Sequence, residues 1–361
     1  MMHGDKYIVL NRDNRIELYR FIFTILIMIF HAHRVNNGLG HPIPLGHVFV
    51  EFFFFISGYF TYSHMYRRYE NGEVETSDKS FPIDYTWRKI KRMIPYMLMT
   101  FIFYFIAEIY GQIHYNHFSF TKCIKGYSGA IFDLLLLQVT GICKNPQFNA
   151  WWYLSALAFA LPIVIILFRK SIAYEGGYRW LMLASPLMIY GYFSMVINKL
   201  DWETLIGITR SGFFRGFAGL CTGGTIFCFA RKLEKIKLSQ MTRYILTIME
   251  IGFYLLSILI SWKYNKIMNS TFIIVFLLIA GLVITFSNQS YTTKVNFKCF
   301  AILGSITTPL YICHYSVGGI VELYMSQYNG SVFYRYLIYY GISFILAIVM
   351  LVINKVLKNE K

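Results

Sequence analysis

Charge is what this chain lacks. Only 14% of its 361 residues are Asp, Glu, Lys or Arg, against 56% hydrophobic and 19% aromatic residues. A soluble protein of this length carries far more charge on its surface. The mean hydropathy of +0.48 and repeated apolar runs of about 17–22 residues instead describe an all-α, polytopic membrane protein. Acidic residues are scarcer still, 18 against 34 basic ones, for a net charge of +16. That excess does not imply nucleic acid, because the basic residues cluster in loops as the positive-inside rule expects. The six cysteines contain no CxxC pair, and no metal-ligand spacing such as HExxH is present. Only Cys123 and Cys143, flanking one loop, are placed for a possible disulfide. A GxSxG nucleophile context, an internal repeat and a small-residue cleavage site after the first apolar run are missing too.

About ten transmembrane helices are present in the pattern, near 16–34, 47–66, 93–110, 150–168, 180–197, 212–230, 244–261, 271–287, 299–320 and 335–354. The apolar stretch 130–142 is too short to span and contains Asp133, so it is expected to be interfacial or re-entrant. Charge fixes the orientation. With both termini cytoplasmic, 24 Lys and Arg fall inside and 9 outside. Counting 130–142 as a span would turn the Arg231–Lys237 and Lys355–Lys361 clusters outward. The expected molecule is a single membrane domain with the lipid bilayer around it.

Ionisable groups within spans are costly and mark candidate sites. The first span, RIELYRFIFTILIMIFHAHR, sets Arg20 and His31 with ten residues between them. At 1.5 Å per residue they are separated by roughly 16 Å, about half a bilayer core. The orientation puts Arg20 at the inner face and His31 in the outer half. It also puts Glu51, Arg215 and His314 in that outer layer, with Trp151 and Trp152 at the same level. A histidine suits general-base chemistry near neutral pH, and a buried carboxylate beside it would set its tautomer. The competing structural readings are an interhelical contact for His314, an ion pair for Glu51 and Arg215, and aromatic-belt anchors for the two tryptophans. His33 and His47 are expected at the water interface, and Ser57–Gly58 at a close helix contact. Glu250, alone in its span, suggests no role. At the inner face Arg20, Arg88, Lys89, Lys91, Arg92 and the Arg67–Arg68 pair form a basic surface, fit for lipid headgroups or for a phosphorylated donor.

Four stretches in order carry a resemblance. They are Arg20 and His31 in span one; VEFFFFISGYF in span two, with Glu51, Ser57 and Gly58; WRKIKRMIP before span three, with Arg88, Arg92 and Pro95; and TPLYICHYSV, with Tyr311 and His314. WWYLSAL opens a middle span in the same style. The chain resembles the acyltransferase family 3 membrane proteins, which O-acylate glycans and related acceptors. The resemblance implies acyl-CoA as a cytoplasmic donor substrate, no permanently bound cofactor, and an acceptor hydroxyl reached from the outer side of the plasma or inner membrane. On that basis His31, Glu51 and His314 are the expected catalytic residues. Arg20, Arg88 and Arg92 are expected to hold acetyl-CoA, and Arg215, Trp152 and Tyr311 the acceptor. The chain departs from the family where Leu157 stands in place of a frequent Glu and Thr307–Thr308 in place of Ser-Tyr. With no fused extracytoplasmic domain, a separate polysaccharide-assembly partner is a further expectation. A glycan or lipid transporter would use similar buried groups but should show repeat symmetry. A sensor or scaffold would need no reactive cluster.

Overall fold

The computed structural model describes residues 13–36, 38–72, 80–114, 121, 129–143, 146–174, 176–263, 268–325 and 330–359. Cys123, Lys6 and Arg12 lie outside them, as does the middle of the polar loop after span two, so the Cys123–Cys143 pairing is not addressed. The described chain is helical almost throughout, apart from a two-residue hairpin, β1 (Leu205–Ile206) with β2 (Thr209–Arg210).

The long helices are α1 (Asn14–His31), α2 (Val50–Glu70), α4 (Ile94–His114), α5 (Trp152–Ala173), α6 (Gly177–Tyr192) and α7 (Ser211–Glu234). They continue with α8 (Gln240–Lys263), α9 (Met268–Ser287), α10 (Lys298–Tyr324) and α11 (Val332–Asn359). A shorter amphipathic helix, α3 (Phe81–Lys91), precedes α4. Among the described residues nine helices are long and apolar enough to cross a membrane, all of these except α2 and α3. The chain is therefore a multi-pass membrane protein. Helix α2 has the length, 21 residues, but not the apolarity. It corresponds to the second expected span, and most of its residues from Val50 to Met65 are buried against neighbouring helices rather than turned to lipid. A helix shielded on all sides has no need of a lipid-compatible surface, so it tolerates Glu51 and His64.

Helix α2 packs most extensively on α7, α1 on α10, and α5 on α7. The α2–α7 contact is backbone on backbone. A Cβ on Gly58 would collide with the Leu220 carbonyl, and one on Gly223 with the Phe55 carbonyl. Small residues at such spacing let membrane helices approach closely where no hydrophobic drive operates between them. The stretch 130–142 does not span. Its helix stops at Leu134, Leu136 takes φ 57°, and a 3₁₀ turn (Gln138–Thr140) follows. Asp133 anchors this segment, accepting from the Gln147 and Phe148 amides at 2.6 and 2.9 Å.

Glu250, which suggests no role in the sequence, is the centre of a structural network. Its buried carboxylate accepts from Tyr19 (3.1 Å), Thr285 (2.8 Å), Thr292 (2.9 Å) and Ser290. Buried Arg15 bonds Thr292 in turn, at 2.7 Å. Hydroxyl donors from two helices and the loop after α9 thus satisfy a carboxylate that would otherwise be expensive to bury.

Candidate active site

The first layer of the site is a cavity of about 740 Å³ between α1, α2, α3, α4, α5, α10 and α11. Its wide end is basic. Arg20 comes from α1, Arg88 and Lys89 from α3, Arg92 from the α3–α4 turn, and Lys358 from the last turn of α11. The three arginines expected to grip a donor thus line one space. Arg20 is shared with Glu17, at 2.8 Å, and Gly304 leaves room for that carboxylate against α10, where a Cβ would collide with it. Lys89 is half-buried, and burial with help from Arg20 and Arg92 pushes its ammonium down to about 8. Lys91 and the Arg67–Arg68 pair do not line the cavity. Lys358 was not legible as a contributor, because it lies more than 260 residues from the α3 cations and only packing brings it there.

The opposite end is aromatic. Phe53, Tyr153 and Tyr311 close it, with ring centroids 5.7 Å apart for Tyr153 and Tyr311 and 6.1 Å for Phe53 and Tyr311. The Tyr311 hydroxyl donates to the Ala150 carbonyl at 2.8 Å, and Trp151 Nε1 donates to the Ile312 carbonyl at 2.9 Å. Two hydrogen bonds therefore pin the start of α5 to the middle of α10. Pro309 contributes beside them: without an N–H it leaves the Ser305 carbonyl free of its helical partner, on the cavity wall. Ser57 reaches the same cavity. Its hydroxyl pairs with Tyr153 at 3.2 Å and not with a histidine, so it has no activating base.

Beyond Tyr311 lie the histidines. The His314 ring is 5.7 Å from that of Tyr311 and 5.3 Å from that of His31. His314 is fully buried, whereas His31 is half-buried at the end of α1. Tyr315 meets His31 edge-on at 5.1 Å, and His33 and His41 follow it outward. His31 Nδ1 and His314 Nε2 are both buried and without a hydrogen-bond partner among the described residues. Each such orphan costs about 1–3 kcal/mol, a cost that functional sites bear more often than structural ones.

Three expectations need correction. Glu51 does not orient His31. Its carboxylate is engaged by Arg215 Nε at 2.8 Å and by the Tyr190 hydroxyl at 2.6 Å, and it makes no hydrogen bond to His31. Arg215 and Trp152 do not face an acceptor. Arg215 is 1% exposed, lies over the Trp152 ring at 4.7 Å and donates to the Leu200 carbonyl. Depth along a span placed these groups in one layer, but the azimuth around each helix turned them into a separate sealed cluster. Nor are the tryptophans belt anchors: Trp151 is 1% and Trp152 6% exposed.

The basic mouth, the aromatic end and the histidine pair behind it draw on the sequence motifs at once, the first, the third and the fourth together with Phe53 of the second. The model of the acyltransferase domain family matches residues 13–352. The chain belongs to this acyltransferase family. No curated protein and no solved structure matches it. The match takes in the site from Arg20 in α1 to His314 in α10, and Lys358 lies just beyond it.

Proposed function

We propose that this membrane acyltransferase takes an acetyl group from acetyl-CoA at the cytoplasmic face and transfers it to a hydroxyl of a cell-surface or exported glycan. One observation carries the reading: a single cavity with cations at its mouth and an aromatic, uncharged tip next to the His31–His314 pair. Its size falls within the roughly 300–1,000 Å³ of small-molecule sites. Arg88, Lys89, Arg92 and Lys358 would hold the phosphates, Arg as a planar fork and Lys as a point charge. The pantetheine arm would run along the neutral walls of α2 and α10. The Arg20–His31 spacing of roughly 16 Å matches the reach of such an arm.

In the transfer, His31 takes the proton of the acceptor hydroxyl as its oxygen bonds to the thioester carbonyl carbon. The tetrahedral intermediate collapses with cleavage of the C–S bond. The CoA thiolate leaves and receives the proton from the imidazolium, so the histidine is regenerated. Tyr311 and its neighbours separate the cavity from the histidines, so the thioester must pass this layer during each turnover.

Mass spectrometry of surface glycans from cells with and without the gene tests the reading. A difference of one acetyl mass, abolished by His31→Ala and by Arg88→Ala/Arg92→Ala at normal protein levels, is the expected result. An unchanged glycan profile, with transport of a glycan or lipid lost instead, would replace it with a transporter.

A further inference from the structure

Two imidazoles lie side by side with no carboxylate bonded to either among the described residues, and Glu51 is engaged elsewhere. His314 is held firmly from one side. Its Nδ1 lies 2.8 Å from the Tyr311 carbonyl oxygen and 3.2 Å from that of Leu310. A carbonyl only accepts, so Nδ1 carries the proton. The neutral ring then has a bare lone pair at Nε2, and that atom is buried without a partner. Nδ1 of His31 is likewise buried without a partner among the described residues. A ring nitrogen lies about 1.1 Å from its centroid, so across 5.3 Å a turn of the half-buried His31 ring would bring the two nitrogens to about 3 Å; as they stand they make no hydrogen bond to each other.

We propose that His314 serves His31 as a carboxylate serves the histidine of a hydrolase triad. With the His31 ring turned toward it, its Nε2 accepts the Nδ1–H of His31. This fixes the His31 tautomer and leaves Nε2 of His31 as the lone pair that takes the proton of the acceptor hydroxyl. His314 is a positioning residue and touches no reacting atom. The catalytic consequence rests on the acyltransferase mechanism above; the pairing itself does not.

A neutral acceptor differs from a carboxylate in one testable way. It orients the imidazole but supplies no charge to stabilise the imidazolium. The other groups facing His31 give none either. They are Tyr315 from α10, His33 and Arg34 from the turn after α1, and His41 from the following loop. The Glu322 carboxylate is paired with Arg34 at 3.0 Å.

The test uses the full chain in lipid nanodiscs. Nitrogen-15 NMR of the histidine side chains reads the His31 tautomer, and radiolabelled acetyl-CoA supplied to membrane vesicles reads alkali-labile ester formation across pH. Three substitutions separate the roles. His314→Asn keeps an amide N–H for the Tyr311 carbonyl but removes the acceptor. His314→Gln returns an amide oxygen near the Nε2 position, and His314→Glu supplies a carboxylate. The native chain is expected to show His31 as the Nδ1–H tautomer. In His314→Asn that tautomer becomes mixed, with kcat down roughly 100-fold and KM for acetyl-CoA unchanged. His314→Gln restores the tautomer and most of the rate. In His314→Glu the acid limb of the pH–rate profile moves up by about one unit. An Nε2–H tautomer in the native chain, or a tautomer and pH profile indifferent to all three substitutions, overturns the pairing. Absence of labelled ester from the native chain would count against acetyl transfer, while the NMR result would still decide the pairing.

Discussion

Lys89 carries a consequence of its own at the scale of single residues. Burial, together with Arg20 and Arg92, holds its ammonium near 8, so the empty cavity sheds this proton in a range where free lysine keeps it. An anion bound beside it favours the charged form and raises that value again. Binding therefore takes up a proton above pH 8, and affinity falls as pH rises through that point; below it both states are protonated and affinity is flat. Calorimetric titration with acetyl-CoA between about pH 7 and 9.5 should show a weakening that approaches about tenfold per unit in the native chain. Lys89→Arg stays charged throughout and should bind with an affinity independent of pH in this range. An unchanged slope in the arginine variant would remove Lys89 from the donor site. The residue scale is also where sequence reading was weakest. Charge type and depth picked out Glu51 and Arg215 as candidates in one layer, and the structure pairs them with each other. They did not reveal that Tyr190 and Trp152 complete a closed group around them, because rotation about the helix axis is decided by partners far away in sequence.

Among the elements, the pair α2 and α7 sets the distances that the site depends on. Gly58 and Gly223 put the two backbones in direct contact, and Glu51 and Arg215 bridge the same helices nearer their other ends. Gly223→Ala should cost about 1–3 kcal/mol through overpacking and lower the thermal unfolding midpoint in detergent. A larger loss is expected from Gly223→Leu, and ester formation should fall with it as α2 is displaced from the cavity wall. Equal stability of native and Gly223→Leu chains would mean that the contact is looser than described. Helix existence and length were legible from apolar runs, and the close contact at Gly58 from its place in span two. The ranking of helices by exposure was not: α2 reads as an ordinary span, yet it is among the most buried helices, and its four consecutive phenylalanines are all buried. The α1–α10 pairing, which joins His31 to His314, was foreshadowed only by depth. Nothing in a linear pattern specifies which helix is a neighbour.

For the whole molecule, orientation is the property that organises the rest. The basic residues gather at the end that holds the mouth of the cavity, and the histidines lie toward the other. Cys299, exposed at the start of α10, belongs to the basic end, and Leu39, 75% exposed, to the histidine end. An impermeant maleimide added to intact cells should therefore spare Cys299 and label a Leu39→Cys chain, with Cys299 labelled only after permeabilisation. The reverse pattern would invert the molecule and with it the side from which the donor comes. The aromatic layer of Phe53, Tyr153 and Tyr311 bears on the cell that carries such a protein. A water column running from a cationic vestibule to a titratable imidazole would be a proton leak, and it would drain the electrochemical gradient at every idle moment. Three rings packed across the path form an insulator, so the membrane stays energised while the site waits for its substrates.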